Sequence, residues 1–138
     1  MLRRWTKQAT IAACLCMRLS AQQERATVID TGSTNRPGIQ VTVTAQGEAT
    51  MQERDGSTTQ IQIGRDLSER FIRDIKASLP LSSLEVRHCA KSVSFGSSLF
   101  VEMNGDRSRD LSCPAQTDER CATLQKDAHD ILSAVQKH

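Results

Sequence analysis

Three groups of residues in this chain have the types that carry chemistry. Asp30 stands in Val28-Ile29-Asp30-Thr31-Gly32-Ser33-Thr34, an acid in a tight turn after two apolar residues. A carboxylate so placed can share a proton with a second carboxylate, because adjacent like charges cannot both ionise. Such a pair can activate water for peptide hydrolysis. His88-Cys89 sets an imidazole next to a thiol in sequence. Chain neighbours point in different directions, however, and thiol catalysis needs a histidine beside the cysteine in space. A half-cystine next to a surface histidine is the plainer reading. Cys113, Cys121 and His129 have metal-ligand chemistry. On one helix, Cys121 and His129 would stand about 12 Å apart along the axis, too far for one ion with ligands near 2 Å. There is no Cys-x-x-Cys, and Cys121 falls on an apolar stripe, where it reads as a buried, inert thiol. No metal and no cofactor are expected. Thr42, Thr44, Ser94, Ser97 and Ser98 could face a ligand, but such positions are more often the solvated face of a sheet. No Gly-rich phosphate loop stands out.

Periodicity predicts the elements that must hold these residues. Residues 22–38 are polar, contain Gly32, Asn35, Pro37 and Gly38, and read as an extended N-terminal segment. Ile39, Val41, Val43 and Ala45 alternate with polar neighbours, the pattern of a half-buried strand. Gln46-Gly47 is a turn, and Ala49 and Met51 carry a weaker strand. Asp55-Gly56 predicts a hairpin in which both central residues take positive φ, leading into a strand over residues 58–63. A helix begins near Asp66, with Asp66 and Glu69 spaced as a capping box. Its apolar face is Leu67, Phe71, Ile72, Ile75 and Leu79, and Pro80 stops it. Residues 81–92 read as loop. Strands over residues 97–103 and 107–112 turn across Asn104-Gly105. A second helix over residues 118–136 aligns Cys121, Leu124, Ala128, Ile131, Leu132 and Val135. The order is three strands, helix, two strands, helix. Hairpins make the sheet mostly antiparallel, and two amphipathic helices pack on one of its faces: an α+β domain.

The first residues read as a leader. Arg3, Arg4 and Lys7 precede an uncharged stretch over residues 9–17, and Leu19-Ser20-Ala21 follows. That is the layout of a secretory signal peptide over residues 1–21, cleaved after Ala21, and it predicts a periplasmic or extracellular protein. In a chain of 138 residues it leaves one small domain, residues 39–138, behind the extended segment 22–38. Of 18 basic residues, Arg3, Arg4, Lys7 and Arg18 lie in the leader with no acid beside them. That leaves 14 basic against 16 acidic, a net of −2. Phosphate binding needs clustered surplus Lys and Arg, so nucleic acid is excluded as a partner. Aromatics are 3% and tyrosine is absent, which removes a base-stacking platform. No apolar run approaches the roughly 20 residues of a membrane span. Cys14 and Cys16 leave with the leader. In an oxidising compartment, Cys89, Cys113 and Cys121 supply one disulfide and one leftover thiol.

Two resemblances bear on function. The Asp30-Thr31-Gly32-Ser33 string resembles the active-site loop of aspartic proteases, and Ile61-Gln62-Ile63-Gly64-Arg65-Asp66-Leu67 resembles the retropepsin segment before its last helix. A chain this short would have to dimerise to complete such a site, with Asp30, Thr31 and Gly32 as the catalytic loop. Only 34 positions separate Asp30 from Gly64, however, where a retropepsin fits several strands and a flap, and Pro37-Gly38 interrupts the expected strand. A motif counts only with its structural context. The second resemblance spans most of the chain after the leader. Asp30-Thr31-Gly32-Ser33-Thr34-Asn35-Arg36-Pro37-Gly38, Arg87-His88-Cys89-Ala90-Lys91-Ser92-Val93-Ser94-Phe95-Gly96 and Asp110-Leu111-Ser112-Cys113 resemble a group of short exported bacterial proteins of unknown function. It implies a disulfide between Cys89 and Cys113 and implies no activity; Cys121 has no counterpart in the group, and its place on the apolar stripe predicts that it stays reduced. Such a bridge needs Cα atoms within about 7 Å, so residues 88–94 must loop back towards Cys113.

These observations predict a non-catalytic binding or envelope-associated module whose partner is a protein or a small molecule. The alternative is a dimeric aspartic protease using Asp30.

Overall fold

Alternating small and β-branched residues build the sheet. The computed structural model describes residues 22–138 apart from Val93 and Phe95. The signal peptide read over residues 1–21, with Cys14 and Cys16, lies outside the described residues. Six antiparallel strands form one sheet: β1 (Arg25–Asp30), β2 (Ile39–Thr44), β3 (Glu48–Glu53), β4 (Thr58–Gln62), β5 (Leu99–Met103) and β6 (Asp106–Arg107), in the spatial order β4-β3-β2-β1-β5-β6. Helix α1 (Arg65–Ala77) follows β4, and α2 (Glu119–Gln136) closes the chain. A 3-10 turn, Leu81–Ser83, follows α1.

Register decides which residues meet. Val28 stands opposite Val41 on one side and Val101 on the other, and Ala26 stands opposite Val43. This face is buried under both helices, α1 over β1 and β2, α2 over β1 and β5. Phe71, Ile72 and Ile75 of α1 meet it, as do Leu124, Ala128, Ile131 and Val135 of α2. The other face is open and carries Thr27, Thr42, Thr50 and Gln60 in one cross-strand row. Arg70 of α1 clamps α2 through Asp127 at 2.9 Å and Asp130 at 2.7 Å. Burial, with the Asp74 carboxyl beside it, pushes Asp127 up against the pull of Arg70.

The α+β class, the antiparallel sheet and the paired helices stand as expected, with five differences. Helix α1 ends at Ala77, so Leu79, read on its apolar face, lies beyond it and is 42% exposed. The segment over residues 22–38 is not merely extended: Arg25–Asp30 is β1, an inner strand, so the order is four strands, helix, two strands, helix. Its inward positions are Ala26, Val28 and Asp30; one is small and one is charged, which weakens the alternation. The Asp55-Gly56 hairpin is a three-residue loop. Only Gly56 has positive φ, +87°, and Glu53 and Ser57 close the ladder, as in a type I turn followed by a left-handed glycine. Helix α1 has no capping box: Gly64 is its N-cap without a side-chain bond, and Asp66 lies inside the first turn. The last strand stops at Arg107, because the Ser108 hydroxyl takes the Val101 N–H in place of a backbone carbonyl. Asn104 and Gly105 both have positive φ, 53° and 80°, as their hairpin requires. Asp118 caps α2 by accepting from the Arg120 N–H at 2.9 Å.

Candidate functional site

At the C-terminal end of β1 the chain turns on Asp30. Its Oδ1 accepts the Gly32 N–H at 2.8 Å, the side-chain bond that organises such turns. Gly32 has φ +68°, and a Cβ there would stand 2.4 Å from both the Arg36 carbonyl and the Gly38 nitrogen, so only glycine fits. Ser33 and Arg36 bond each other's backbone at 2.8 and 3.2 Å, which folds Arg36 back over Asp30. The Arg36 Nη2 lies 2.8 Å from Asp30 Oδ2 and 3.1 Å from Oδ1. Asp30 is 8% exposed, so its carboxylate is taken up by its own loop.

A second knot faces the first. Asp110, just past β6, accepts the N–H groups of Leu99 and Ser112, each at 3.0 Å, and the Ser98 hydroxyl at 2.9 Å. Lys91 forms an ion pair with it and also donates to the Ser97 carbonyl at 3.0 Å and the Ser98 hydroxyl at 3.1 Å. Partial burial pushes Asp110 up, and the Lys91 ammonium with the Leu99 and Ser112 donors outweighs it, holding the carboxyl well below the usual range. The knots are stitched together by Thr31, whose N–H donates to the Ser98 carbonyl at 3.0 Å and whose hydroxyl accepts the Ser98 N–H at 2.9 Å. The Cys89–Cys113 disulfide is present, with Cα atoms 5.7 Å apart, and closes the back of this region. Cys121 is free and buried in the core, its thiol donating to the Glu85 carbonyl at 3.3 Å; burial pushes it up.

Between the knots and the second half of α2 lies a cleft of about 590 Å³. It is lined by Asp30, Arg36, Lys91 and Ser97, by His129, Leu132 and Ser133 of α2, and by Leu99 and Pro114. Lys91 is fully engaged. Arg36 is not: within the described residues its Nε and Nη1 make no hydrogen bond, and the ring of the exposed His129 makes none. Ser112 Oγ, also on the cleft, is shut from solvent and has no partner among the described residues.

The structure therefore brings together Asp30, Cys89 and His129 around one cleft; Thr31 and Gly32 belong to the Asp30 turn without lining it, and Cys121 lies outside it. His88 is exposed and next to a disulfide, so thiol catalysis has no thiol there. Among the described residues no cluster of three metal-ligating side chains exists, and no helix is long and apolar enough to cross a membrane. Reading the sequence missed Arg36, Lys91 and Asp110 as partners; the only signal was the Asp-x-Gly turn, which marks where a carboxylate bonds its own loop. Comparison with protein-family models, curated proteins and solved structures finds no match to the chain.

Proposed function

We propose that this protein is an exported, non-catalytic binding module, related to the short exported proteins its motifs resemble, and that the cleft beside Asp30 and His129 takes a small ligand or chain end with a carboxylate and an apolar side group. The observation that carries this reading is the set of unengaged donors, Arg36 Nε and Nη1 and the His129 ring, beside an apolar strip of Leu99, Leu132 and Pro114. Each free guanidinium N–H can donate a charge-assisted hydrogen bond to a carboxylate, singly rather than as a fork, because Nη2 is held by Asp30. The disulfide supports the exported setting, since such bonds persist in oxidising compartments.

The test is an NMR titration of the protein with N-acetyl-leucine and with its amide. The acid should shift the Arg36, Ser97 and His129 resonances at millimolar concentration, and the amide should bind about tenfold more weakly. His129→Ala should weaken the acid severalfold while changing stability by about 0.5 kcal/mol or less, because the side chain is exposed and unbonded. Equal response to acid and amide, or none, counts against the reading.

The pairing of Asp30 with Arg36 favours binding over the aspartic-protease alternative, because the guanidinium contacts both carboxylate oxygens where a second carboxylate would have to stand. Asp30→Asn keeps the acceptor for the Gly32 N–H and loses the charge pair, whose Arg36 end is half exposed. The expected loss is about 1 kcal/mol, measured by urea unfolding. A peptide-library digest at about pH 5 should look the same for wild type and variant. Cleavage by the wild type that disappears in Asp30→Asn would promote the protease.

A further inference from the structure

The two edges of the sheet differ. The β6 edge is closed: it is two residues long, and the Asp106 carboxylate accepts the N–H groups of Leu81 and Ser82, laying the 3-10 turn against it. The β4 edge, Thr58-Thr59-Gln60-Ile61-Gln62, is open and exposed, with only Ile61 half-buried. It carries no charge, no proline and no bulge, the devices that usually blunt a free edge.

The ladder shows which backbone groups are free. Glu53 N–H bonds the Ser57 carbonyl, Ile63 N–H bonds the Gly47 carbonyl, and Thr59 and Ile61 stand opposite Met51 and Ala49. In an antiparallel pair, bonded positions alternate, so Ser57, Thr59, Ile61 and Ile63 face β3 while Thr58, Gln60 and Gln62 turn N–H and C=O outward. No group of the described residues bonds those outward groups.

We propose that β4 is a self-association edge, at which two copies of this chain pair their β4 strands antiparallel about Gln60 and continue one sheet across a two-fold axis. In that register Gln60 meets Gln60 of the second copy, and Thr58 meets Gln62, so every outward N–H finds an outward carbonyl. Charge complementarity selects the second copy as the occupant. Arg54 and Asp55 precede β4, Arg65 and Asp66 follow it, and all four are exposed. That register brings the loop carrying Arg54 and Asp55 beside the start of α1 in the second copy, which carries Arg65 and Asp66, in both directions at once. Arg54 and Asp66 form no ion pair among the described residues, while Arg65 pairs with Glu69 of its own helix at 2.8 Å, so the Arg54–Asp66 pair carries the complementarity. The helix-covered face gains as well. Because α1 packs over β1 and β2, Met51, Ile61 and Leu67 are only partly buried, and a second β4 would set Thr59 beside Ile61 there. The axis normal to the sheet keeps both helical layers on one side.

Sedimentation equilibrium of the purified protein from micromolar to about millimolar concentration is the test. The expected result is a reversible monomer–dimer equilibrium. Gln60→Pro deletes an outward N–H without touching the bonds to β3, a change an edge strand tolerates. It should weaken the dimer about tenfold, since two bonds are lost per dimer. The circular dichroism of its monomer should match wild type. Arg54→Asp should weaken the dimer severalfold, and Arg54→Asp combined with Asp66→Arg should restore it. A wild type that stays monomeric throughout, a folded Gln60→Pro that dimerises like wild type, or a charge swap that fails to restore the dimer overturns the proposal.

Discussion

Replacing Asp110 by alanine is expected to lower stability by about 3 kcal/mol in urea unfolding, and to speed hydrogen exchange at Leu99 and Ser112. One carboxylate there receives two backbone N–H groups, the Ser98 hydroxyl and the Lys91 ammonium. Hydrogen bonds to a charged group each contribute about 1.5–3 kcal/mol, but Asp110 is a quarter exposed, so water replaces part of what is lost. The pH dependence has a definite sign. The folded pKa lies below the unfolded value of about 3.9, so the stabilisation is fully present above that value and is lost as pH falls through the folded one. The wild-type and Asp110→Ala curves should run parallel from about pH 5 to 8 and converge in acid. A loss under about 1 kcal/mol at neutral pH would mean that the loops hold without this knot.

The other large effect is expected from the Cys89–Cys113 bridge. Its cysteines are 24 positions apart, and closing a loop of that length removes denatured-chain entropy worth about 3 kcal/mol in the chain-entropy model. The double variant Cys89→Ser/Cys113→Ser should therefore unfold at a midpoint lower by about 10 °C, read by calorimetry. Cys121 should react with a thiol reagent only on unfolding, because it is buried and its S–H is bonded to Glu85. An unchanged midpoint, or a Cys113–Cys121 link in non-reducing peptide maps of the wild type, would contradict this account.

Elements with strong local signals were legible in the sequence. Ile39–Thr44 alternates cleanly, Asn104-Gly105 can hardly be other than a hairpin turn, and the α2 stripe from Cys121 to Val135 is long enough to average out noise. β1 was obscured because Asp30 occupies an inward position, a charge where the strand period asks for an apolar residue. The structure gives the reason: Arg36 and the Gly32 N–H satisfy that charge at the end of the strand. The site was half legible for the same cause. Asp30, Cys89 and Cys113 carry local signals, whereas Lys91 meets Asp110 and Arg36 meets Ser97 only through contacts between distant segments. A surface lysine or arginine looks the same in sequence whether it is solvated or engaged.

The inner position of β1 also bears on how the chain reaches its fold. On one side β1 pairs with β2, which follows it directly; on the other, Ile29 must wait for Phe100. Contacts between distant residues form slowly, because the entropy of closing the intervening loop is lost before the contact repays it. The meander β1–β4 with α1 is local and can assemble first, leaving half of β1 unpaired. Arrival of β5 then completes the sheet and brings α2 onto it. Cys89 and Cys113 both belong to that late segment and flank the hairpin that docks on β1, so the bridge ties together the two ends of the piece that completes the sheet.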